Sequence, residues 1–425
     1  KGTPLNDLKL RASWGKTGSM DGISNWAAMS LVTSGGNSYN GSSGFKIGAD
    51  AADLIWEKAN QVNVGINAEL FNGRLTLSVD GYYQKTNGLL YNISTLATTG
   101  YTTRTANIGS LENKGLEVMV SGKIFDGPFK WELATNLSYT KNKLLSLDGV
   151  LDMKINGGGA NTGKVMHALM VGKPVSAFYM LRQDGIYQTD QEVPSKLYAK
   201  GVRAGDCKYF DYNNDGDITD DDRMYVGKVT PDIYGGITST MNWKNFDLSI
   251  FCQFAAGGKI LSAWKGCGGT EGTEHLGLAS SSIKGYKNGT LVDSEQFYNI
   301  SKYAANHYWR GEGTSNTVPR PTLAGTFTGG FGNNLVSTRY LEDASYFKFK
   351  TITLGYSLPH SLLSKIHVTG ARIFVSLDNF FTLTKYSGYD PEFSYESNPT
   401  GNSYGADFGE QATLKSFIIG ASINF

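Results

Sequence analysis

The clearest pattern in the chain lies within residues 60–84, where apolar and polar residues alternate along two neighbouring segments. A period of two residues predicts β-strands with one apolar side each. Asn72-Gly73 separates the segments and favours a tight type I′ turn, because both residues accept positive φ angles. Each strand has about 12 residues. A tilted strand of ~9–11 residues crosses a bilayer, so the two strands of the hairpin can cross the bilayer twice. The apolar positions are Val62, Val64, Ile66, Ala68, Leu70, Leu75, Leu77, Val79 and Tyr83.

The same alternation recurs along the chain and predicts ten strands in all. Turn-forming residues separate two further pairs of strands, at Asp126-Gly127-Pro128 and at Lys244-Asn245. The last strand ends on an aromatic residue, Phe425. The other predicted strands are Leu8–Trp14, Leu116–Ile124, Trp131–Tyr139, Ile233–Trp243, Phe246–Phe254, Phe347–Leu358, Ile373–Leu377 and Lys415–Phe425.

The connections between these strands alternate between long and short, with five long loops on one side and four short turns on the other. Compact soluble domains have a median connection of ~4–6 residues, whereas outer-membrane barrels combine short periplasmic turns with long extracellular loops. The pattern therefore predicts an all-β, transmembrane antiparallel β-barrel with large extracellular loops at residues 141–231 and 257–345. The alternative is a soluble β-sandwich or propeller, but no repeat of ~40–50 residues supports blades.

Composition narrows the function without naming it. The 39 basic and 38 acidic side chains give a net charge of +1, which favours neither nucleic acid nor an acidic partner. We find no hydrolase or metalloprotease motif and therefore predict that the chain is not an enzyme. With three cysteines, at least one thiol lacks a partner within the chain, and the sequence leaves open whether Cys207 and Cys267 pair.

Residues 211–222 follow the spacing of a 12-residue calcium loop, with oxygen ligands at alternating positions and Gly216 at the sharp turn. The last position is Asp222 rather than the usual Glu. The sequence predicts a structural Ca²⁺ that orders a long exterior loop; the alternative is a solvated acidic turn without metal. The predicted ligands are Asp211, Asn213, Asp215, the carbonyl of Asp217, Thr219 and Asp222.

Aromatic residues in the predicted loops are candidates for stacking on sugar rings, although packing within the loops is the favoured reading for each. These residues are Trp26, Tyr39, Trp264 and Trp309.

Several segments resemble the C-terminal part of SusC/RagA-type TonB-linked outer-membrane transporters. Members of that family have a TonB box, a plug domain and a barrel of 22 strands. This sequence shows ten strands and neither of the other two features, so the resemblance implies the C-terminal half of the barrel. The similar segments are Leu8–Gly18 (LKLRASWGKTG), Trp56–Gly73, Asn107–Glu117 (NIGSLENKGLE), Gly205–Gly227, Tyr340–Leu358 and Ala371–Thr384 (ARIFVSLDNFFTLT).

The resemblance also implies a function and a location. It implies TonB-dependent import of an oligosaccharide, another glycan or a peptide across the bacterial outer membrane. The expected partners are a SusD-like surface lipoprotein as lid, outer-membrane lipid, and a TonB–ExbB–ExbD complex acting through the missing N-terminal region. A dimer of SusC–SusD pairs is expected. The alternatives are a siderophore or cobalamin receptor and a non-transport barrel such as an adhesin or an enzyme.

Overall fold

The chain forms ten long strands in the part that the computed structural model describes, and it divides into two compact units. The first unit comprises residues 1–123, 134–154 and 170–174, and the second comprises residues 124–133, 155–169 and 175–425. The structure describes residues 4–20, 26, 29, 32–39, 42–48, 54–94, 98, 103–147, 153–155, 166–265, 301–320, 332–363, 368–392, 404–409 and 411–424.

The ten strands confirm the predicted all-β fold. Strands β1 to β5 lie mainly in the first unit, and β6 to β10 lie in the second. Their bounds are Leu5–Ser19 (β1), Glu57–Leu70 (β2), Leu75–Asn87 (β3), Ser110–Asp126 (β4), Phe129–Ser146 (β5), Ile233–Trp243 (β6), Phe246–Ala256 (β7), Tyr346–Ser357 (β8), Gly370–Thr384 (β9) and Ser416–Asn424 (β10).

Strands β1 to β4 each pair antiparallel with the next, and one row of pairs shows how the alternating residues sort. Leu10 of β1 lies opposite Ile66, Ile66 opposite Val79, and Val79 opposite Val118. Successive side chains of a strand point to opposite sides, so apolar residues collect on one face, here called the apolar face. Leu10 is 72% exposed there. The opposite side is called the polar face.

Two ion pairs each link the outer two of three neighbouring strands. In each case a glycine in the middle strand leaves room for the pair. On the polar face of the first unit, Arg11 of β1 pairs with Asp80 of β3 at 2.7 Å above Gly65 of β2. A Cβ at Gly65 would stand 2.1 Å from the Asp80 carboxylate. In the second unit, a Cβ at Gly355 of β8 would stand 2.4 Å from both Arg372 of β9 and Asp247 of β7, which are bonded to each other.

The predicted turns are confirmed. Asn72 and Gly73 have φ angles of 60° and 76°, and the Arg74 N–H donates to the Phe71 carbonyl at 3.4 Å. Phe71 also has a positive φ, of 55°, which the sequence did not indicate. Phe425 lies outside the described residues, so its predicted place at the end of the last strand stays a prediction.

The second unit pairs β6 with β7, β7 with β8, β8 with β9 and β9 with β10, all antiparallel. The helices in the described part of the chain are short: α1 is Ser195–Ala199, α2 is Lys302–His307 and α3 is His360–Leu363. Among the described residues, no helix has the length and apolar character needed to cross a membrane.

The long connections contain regular structure of their own. The predicted loop boundary at residue 141 was wrong, because β5 continues to Ser146; there Asn142 donates from its side-chain amide to the Asn113 oxygen at 2.6 Å. The short strands are Val32–Tyr39, Ser42–Ile47, Leu90–Ser94, Thr103–Asn107, Met153–Ile155, Ala168–Met170, Ala177–Met180, Gln183–Ile186, Cys207–Tyr209, Met224–Lys228, Lys259–Ser262, Leu341–Asp343 and Ala406–Asp407.

Candidate functional site

Segments of the three loops that follow β5, β7 and β9 fold together into one body in the second unit, here called the loop module. It comprises residues 166–169, 175–232, 257–265, 301–320, 332–345 and 404–409. The strand Lys259–Ser262 holds the three loops together, because it pairs antiparallel with Leu341–Asp343 and parallel with Ala406–Asp407.

Two clusters of buried apolar side chains form the core of the loop module. The first cluster draws on all three loops, and the second lies within the loop after β5. Loops that merely join strands rarely bury apolar side chains in this number, so the module has the packing of a small folded domain. The first cluster is Met166, Phe178, Met180, Leu261, Ala263, Val336, Tyr340 and Ala406, and the second is Leu181, Tyr187, Val193, Leu197, Val202, Cys207, Tyr209 and Ile218.

A buried carboxylate locks the two longest loops to each other. Asp206 is 0% exposed, and Arg320 donates to both of its oxygens at 2.8 and 3.0 Å. Asn333 donates to the same carboxylate at 3.0 Å, and its own side-chain oxygen accepts from the Cys207 N–H at 2.8 Å. A buried charge is stable only when it is paired and hydrogen-bonded, so these contacts fix the relative position of the two loops.

Of the four predicted stacking aromatics, two are half-buried and contact other residues of the protein. Trp309 lies against Gly205, where an added Cβ would stand 2.5 Å from the indole ring, and its N–H donates to Gln188 at 3.2 Å. Trp264 donates to the Tyr386 hydroxyl at 3.3 Å. Packing therefore accounts for both residues.

The other two aromatics give no stacking geometry. Trp26 is 60% exposed. Tyr39 belongs to the short strand Val32–Tyr39, and its side chain lies outside the described part of the chain. Both stay candidates for ligand contact.

Three of the predicted calcium ligands come together at the start of the 211–222 loop. The Asp215 N–H lies 3.2 Å from an Asp211 oxygen and 3.0 Å from the Asn213 side-chain oxygen. The second Asp211 oxygen accepts from the Gly216 N–H at 2.8 Å. Oxygens that share one amide donor are close neighbours, so the side-chain oxygens of Asp211 and Asn213 lie next to each other.

The side chains at the other three predicted positions make different contacts, although the predicted ligand at Asp217 is its carbonyl and not its carboxylate. The Asp217 carboxylate pairs with Lys200 at 2.6 Å, and this bond holds the pKa of Asp217 below its usual value. Thr219 and Asp222 cap a short 3₁₀ turn, with Asp222 accepting from the Thr219 N–H at 2.7 Å. Among the described residues, no group of three His, Cys, Asp or Glu side chains has the geometry to hold a metal ion. The calcium site stays a prediction.

A cavity of about 240 Å³ lies at the base of the loop module, lined by segments 229–231, 258–260, 391–392 and 404–405. Typical ligand pockets measure ~300–1,000 Å³, so this space is too small for an oligosaccharide or a peptide. We do not assign the substrate to it.

Glu392 forms part of the cavity wall. It accepts from the Tyr346 hydroxyl at 2.8 Å and pairs with Lys348, which is buried and also contacts Asp390 at 2.9 Å. Burial alone would raise the pKa of Glu392, but the Lys348 and Tyr346 donors outweigh it and lower that pKa. The last loop is thereby fastened to β8 by charge.

The cysteines show no disulfide in the part of the chain that the structure describes. Cys207 is a fully buried free thiol that donates to the Asn333 carbonyl at 3.4 Å. Burial raises the pKa of this thiol. Cys267 lies outside the described residues, so the structure answers the pairing question only for Cys207, which is a free thiol.

Sequence reasoning did not find the polar residues that assemble the loop module. Asp206 and Arg320 lie 114 residues apart, and Lys348 and Asp390 lie 42 apart. A single sequence contains no local spacing that links such partners. The best available sequence signal for such a buried charge is a charged residue flanked by apolar ones, as in Val202–Cys207.

Comparison with known proteins gives the family. A sequence model for the family described as "TonB dependent receptor-like, beta-barrel" matches residues 3–250. TonB-dependent receptor P3 of Formosa agariphila is 30% identical over 435 residues, covering 99% of this chain and 40% of that protein. TonB-dependent receptor SusC of Bacteroides thetaiotaomicron is 27% identical over 440 residues, covering 99% of this chain and 38% of that protein. The chain thus spans about two-fifths of these relatives.

A solved structure supports the fold. The RagAB peptide transporter superposes with a TM-score of 0.74 at 24% identity, covering all of this chain and 42% of that one. The predicted SusC/RagA resemblance and the outer-membrane location are confirmed by these matches together. Because the family model matches more than half of the 425 residues, the chain belongs to the TonB-dependent receptor family of outer-membrane β-barrels.

Proposed function

We propose that this chain is the C-terminal part of a TonB-dependent importer that takes up an oligosaccharide or a peptide across the outer membrane. The observation that supports this most is the loop module, in which the two longest loops share a buried core. Joining strands of a barrel needs only a few residues, whereas ordering long loops costs conformational entropy. Such ordered loops suit the capture of a large ligand.

The loop module offers a platform for a second protein. A SusD-like lipoprotein would close over it and enclose the ligand between lid and loops. TonB, with ExbB and ExbD, would act through the region of the protein outside this chain. The transporter would assemble as a dimer of such pairs, and no covalent chemistry on the nutrient is involved.

A structural Ca²⁺ fits the same proposal. Asp211, Asn213 and Asp215 would hold it, with Asp217, Thr219 and Asp222 completing the set after local rearrangement. The ion would neutralise adjacent acids and order the exterior end of the module.

Two matched arginine substitutions test the platform in the full-length transporter. Arg320→Met breaks the bond to buried Asp206 between the loops, while Arg182→Met breaks an exposed pair, with Asp184, inside one loop. We expect Arg320→Met to lower lipoprotein co-purification and nutrient uptake at least threefold, with normal barrel insertion, and Arg182→Met to behave like the wild type. If Arg320→Met speeds hydrogen exchange in the loops but leaves nutrient uptake at the wild-type level, the platform proposal is wrong.

Growth on single nutrients tests the class of ligand. Cells that depend on this transporter are given an oligosaccharide mixture, a peptide mixture, ferric siderophore or cobalamin. Transporter-dependent growth on either of the first two supports the proposal. Dependence only on siderophore or cobalamin replaces it with the alternative receptor class.

A further inference from the structure

The apolar face of the first unit changes character towards the ends of the strands that meet the long loops. Three rows of this face are almost wholly apolar and run through Leu8, Leu10 and Ala12 of β1. In the next row, Trp14 lies opposite Val62, and Val62 lies opposite Tyr83. Trp14 is 73% exposed. Amphipathic aromatic side chains at such a border mark the membrane–water interface.

Lysines occupy the same face at and beyond this aromatic row. Lys16 lies two residues past Trp14, about 7 Å along the strand. Lys58 lies opposite Gly18, two residues beyond Lys16 on β1. Asn60 lies opposite both Lys16 and Lys85, so these two lysines share a row. On β4, Lys114 lies opposite Tyr83.

Two further lysines come from β5, the neighbour of β4 in the sheet. Asn142 bonds Asn113 on the polar face, so Lys141 and Lys143, one residue to either side, point to the apolar face. The lysine band is therefore Lys16, Lys58, Lys85, Lys114, Lys141 and Lys143.

The lysine band is nearly free of acidic partners. Within the described rows of this face, Glu112 is the single carboxylate, and it pairs with Lys114 at 2.8 Å. Neither Lys16 nor Lys58 forms an ion pair among the described residues, and Lys16 is exposed. Six ammonium groups against one carboxylate give the band a strong positive charge.

The band also contains a groove. The Trp56 ring lies over Gly18, where an added Cβ would stand 3.2 Å from it. Lys16, Lys58 and Met20 line the remaining sides of a space of about 590 Å³. Two ammonium groups beside an exposed indole suit a headgroup that is both anionic and sugar-like.

We propose that the lysine band binds phosphorylated glycolipid of the outer leaflet, the lipid class that forms the outer surface of a bacterial outer membrane. The band continues the lipid-facing surface at the end of the strands where the long, exterior loops begin. At that height the groups beside the barrel are lipid phosphates and carboxylates, and clustered lysines next to a membrane span attract such anions.

Two matched triple variants of the full-length transporter test the proposal. Lys16→Gln, Lys58→Gln and Lys85→Gln remove half of the band. Lys9→Gln, Lys123→Gln and Lys130→Gln remove the same charge from exposed positions away from the band. Native mass spectrometry of protein extracted from outer membranes counts the retained glycolipid, and added lipopolysaccharide, dephosphorylated lipopolysaccharide and inorganic phosphate serve as probes.

We expect the band variant to retain less than half of the wild-type glycolipid and the control to retain all of it. Lipopolysaccharide should rebind to the wild type, while the dephosphorylated form and inorganic phosphate should not compete with it. Equal retention by both variants would overturn the proposal, as would full displacement by inorganic phosphate. Unchanged glycolipid with loss of a co-purified protein would assign the band to a protein partner instead.

Discussion

Buried charges hold the exterior part of this protein in place at the scale of single residues. Asp206 is 0% exposed and Lys348 is 2% exposed, and each has two or more partners. Breaking a buried pair leaves an uncompensated charge, which typically costs ~3–5 kcal/mol. Sequence alone could not separate these two residues from the many exposed charges, because burial depends on partners far along the chain.

The calcium hypothesis makes a residue-scale prediction. Asp211→Ala should weaken Ca²⁺ binding by about tenfold or more, since affinity in such loops depends on the number of charged ligands. Titration calorimetry of the metal-free full-length protein measures this directly.

Asp221→Ala is the matched control, because Asp221 is an exposed neighbour outside the predicted ligand set. It should bind Ca²⁺ like the wild type. Millimolar Ca²⁺ that produces no heat with the wild type, or equal weakening by both substitutions, would end the hypothesis.

Strands and turns were predictable because their signals are local. Alternation fixed the faces of β1 to β4, and Asn72-Gly73 fixed the turn between β2 and β3. The short strands of the loop module gave no such signal: Ala177–Met180 is buried at all four positions and has no alternation. Strands of that length take their register from tertiary contacts, which a single sequence does not contain.

A glycine in β2 allows an element-scale prediction. Gly65→Ala would place a Cβ 2.1 Å from the Asp80 carboxylate and displace the Arg11–Asp80 pair. Overpacking of this kind costs ~1–3 kcal/mol. We expect a lower midpoint for heat unfolding of the full-length barrel, followed by its shift in gel mobility.

Gly81→Ala in β3 is the matched control, because the nearest atom to its added Cβ is 3.9 Å away. Its midpoint should equal that of the wild type. If both variants unfold at the wild-type temperature, the close approach at Gly65 has no effect on stability.

At the scale of the whole molecule, the alternation of long and short connections predicted the architecture. The lengths of the loops did not predict that the loops pack against each other around a shared core. The loops after β5 and β7 share one core, in which Phe178 and Leu261 belong to the same cluster. Deleting either loop would expose the core of the other. Their contribution to capture therefore has to be tested by substitutions that leave the core intact.

The loop module should lose order in acid. The hydrogen bond from Lys200 lowers the pKa of Asp217. Burial alone would raise the pKa of Glu342, but hydrogen bonds from Ser262, Lys265 and Ser387 outweigh the effect of burial and lower that pKa. A carboxylate with a lowered pKa in the folded protein adds stability above its unfolded value, ~4, and that stability is lost as the pH falls through the folded pKa. Hydrogen exchange in the module, corrected for the intrinsic rate, should be slow at pH 7 and 5 and rise steeply below about pH 4.

Two glutamine substitutions, one of them a control, test the contribution of Glu342. Glu342→Gln removes a titrating group with a lowered pKa, so exchange in segment 259–265 should be faster at neutral pH and less sensitive to acid. Glu312→Gln alters an exposed residue of the same module and should leave the profile unchanged. Exchange that stays slow down to pH 3 would show that these carboxylates do not stabilise the module. An identical acid response in the wild type and Glu342→Gln would show that Glu342 does not.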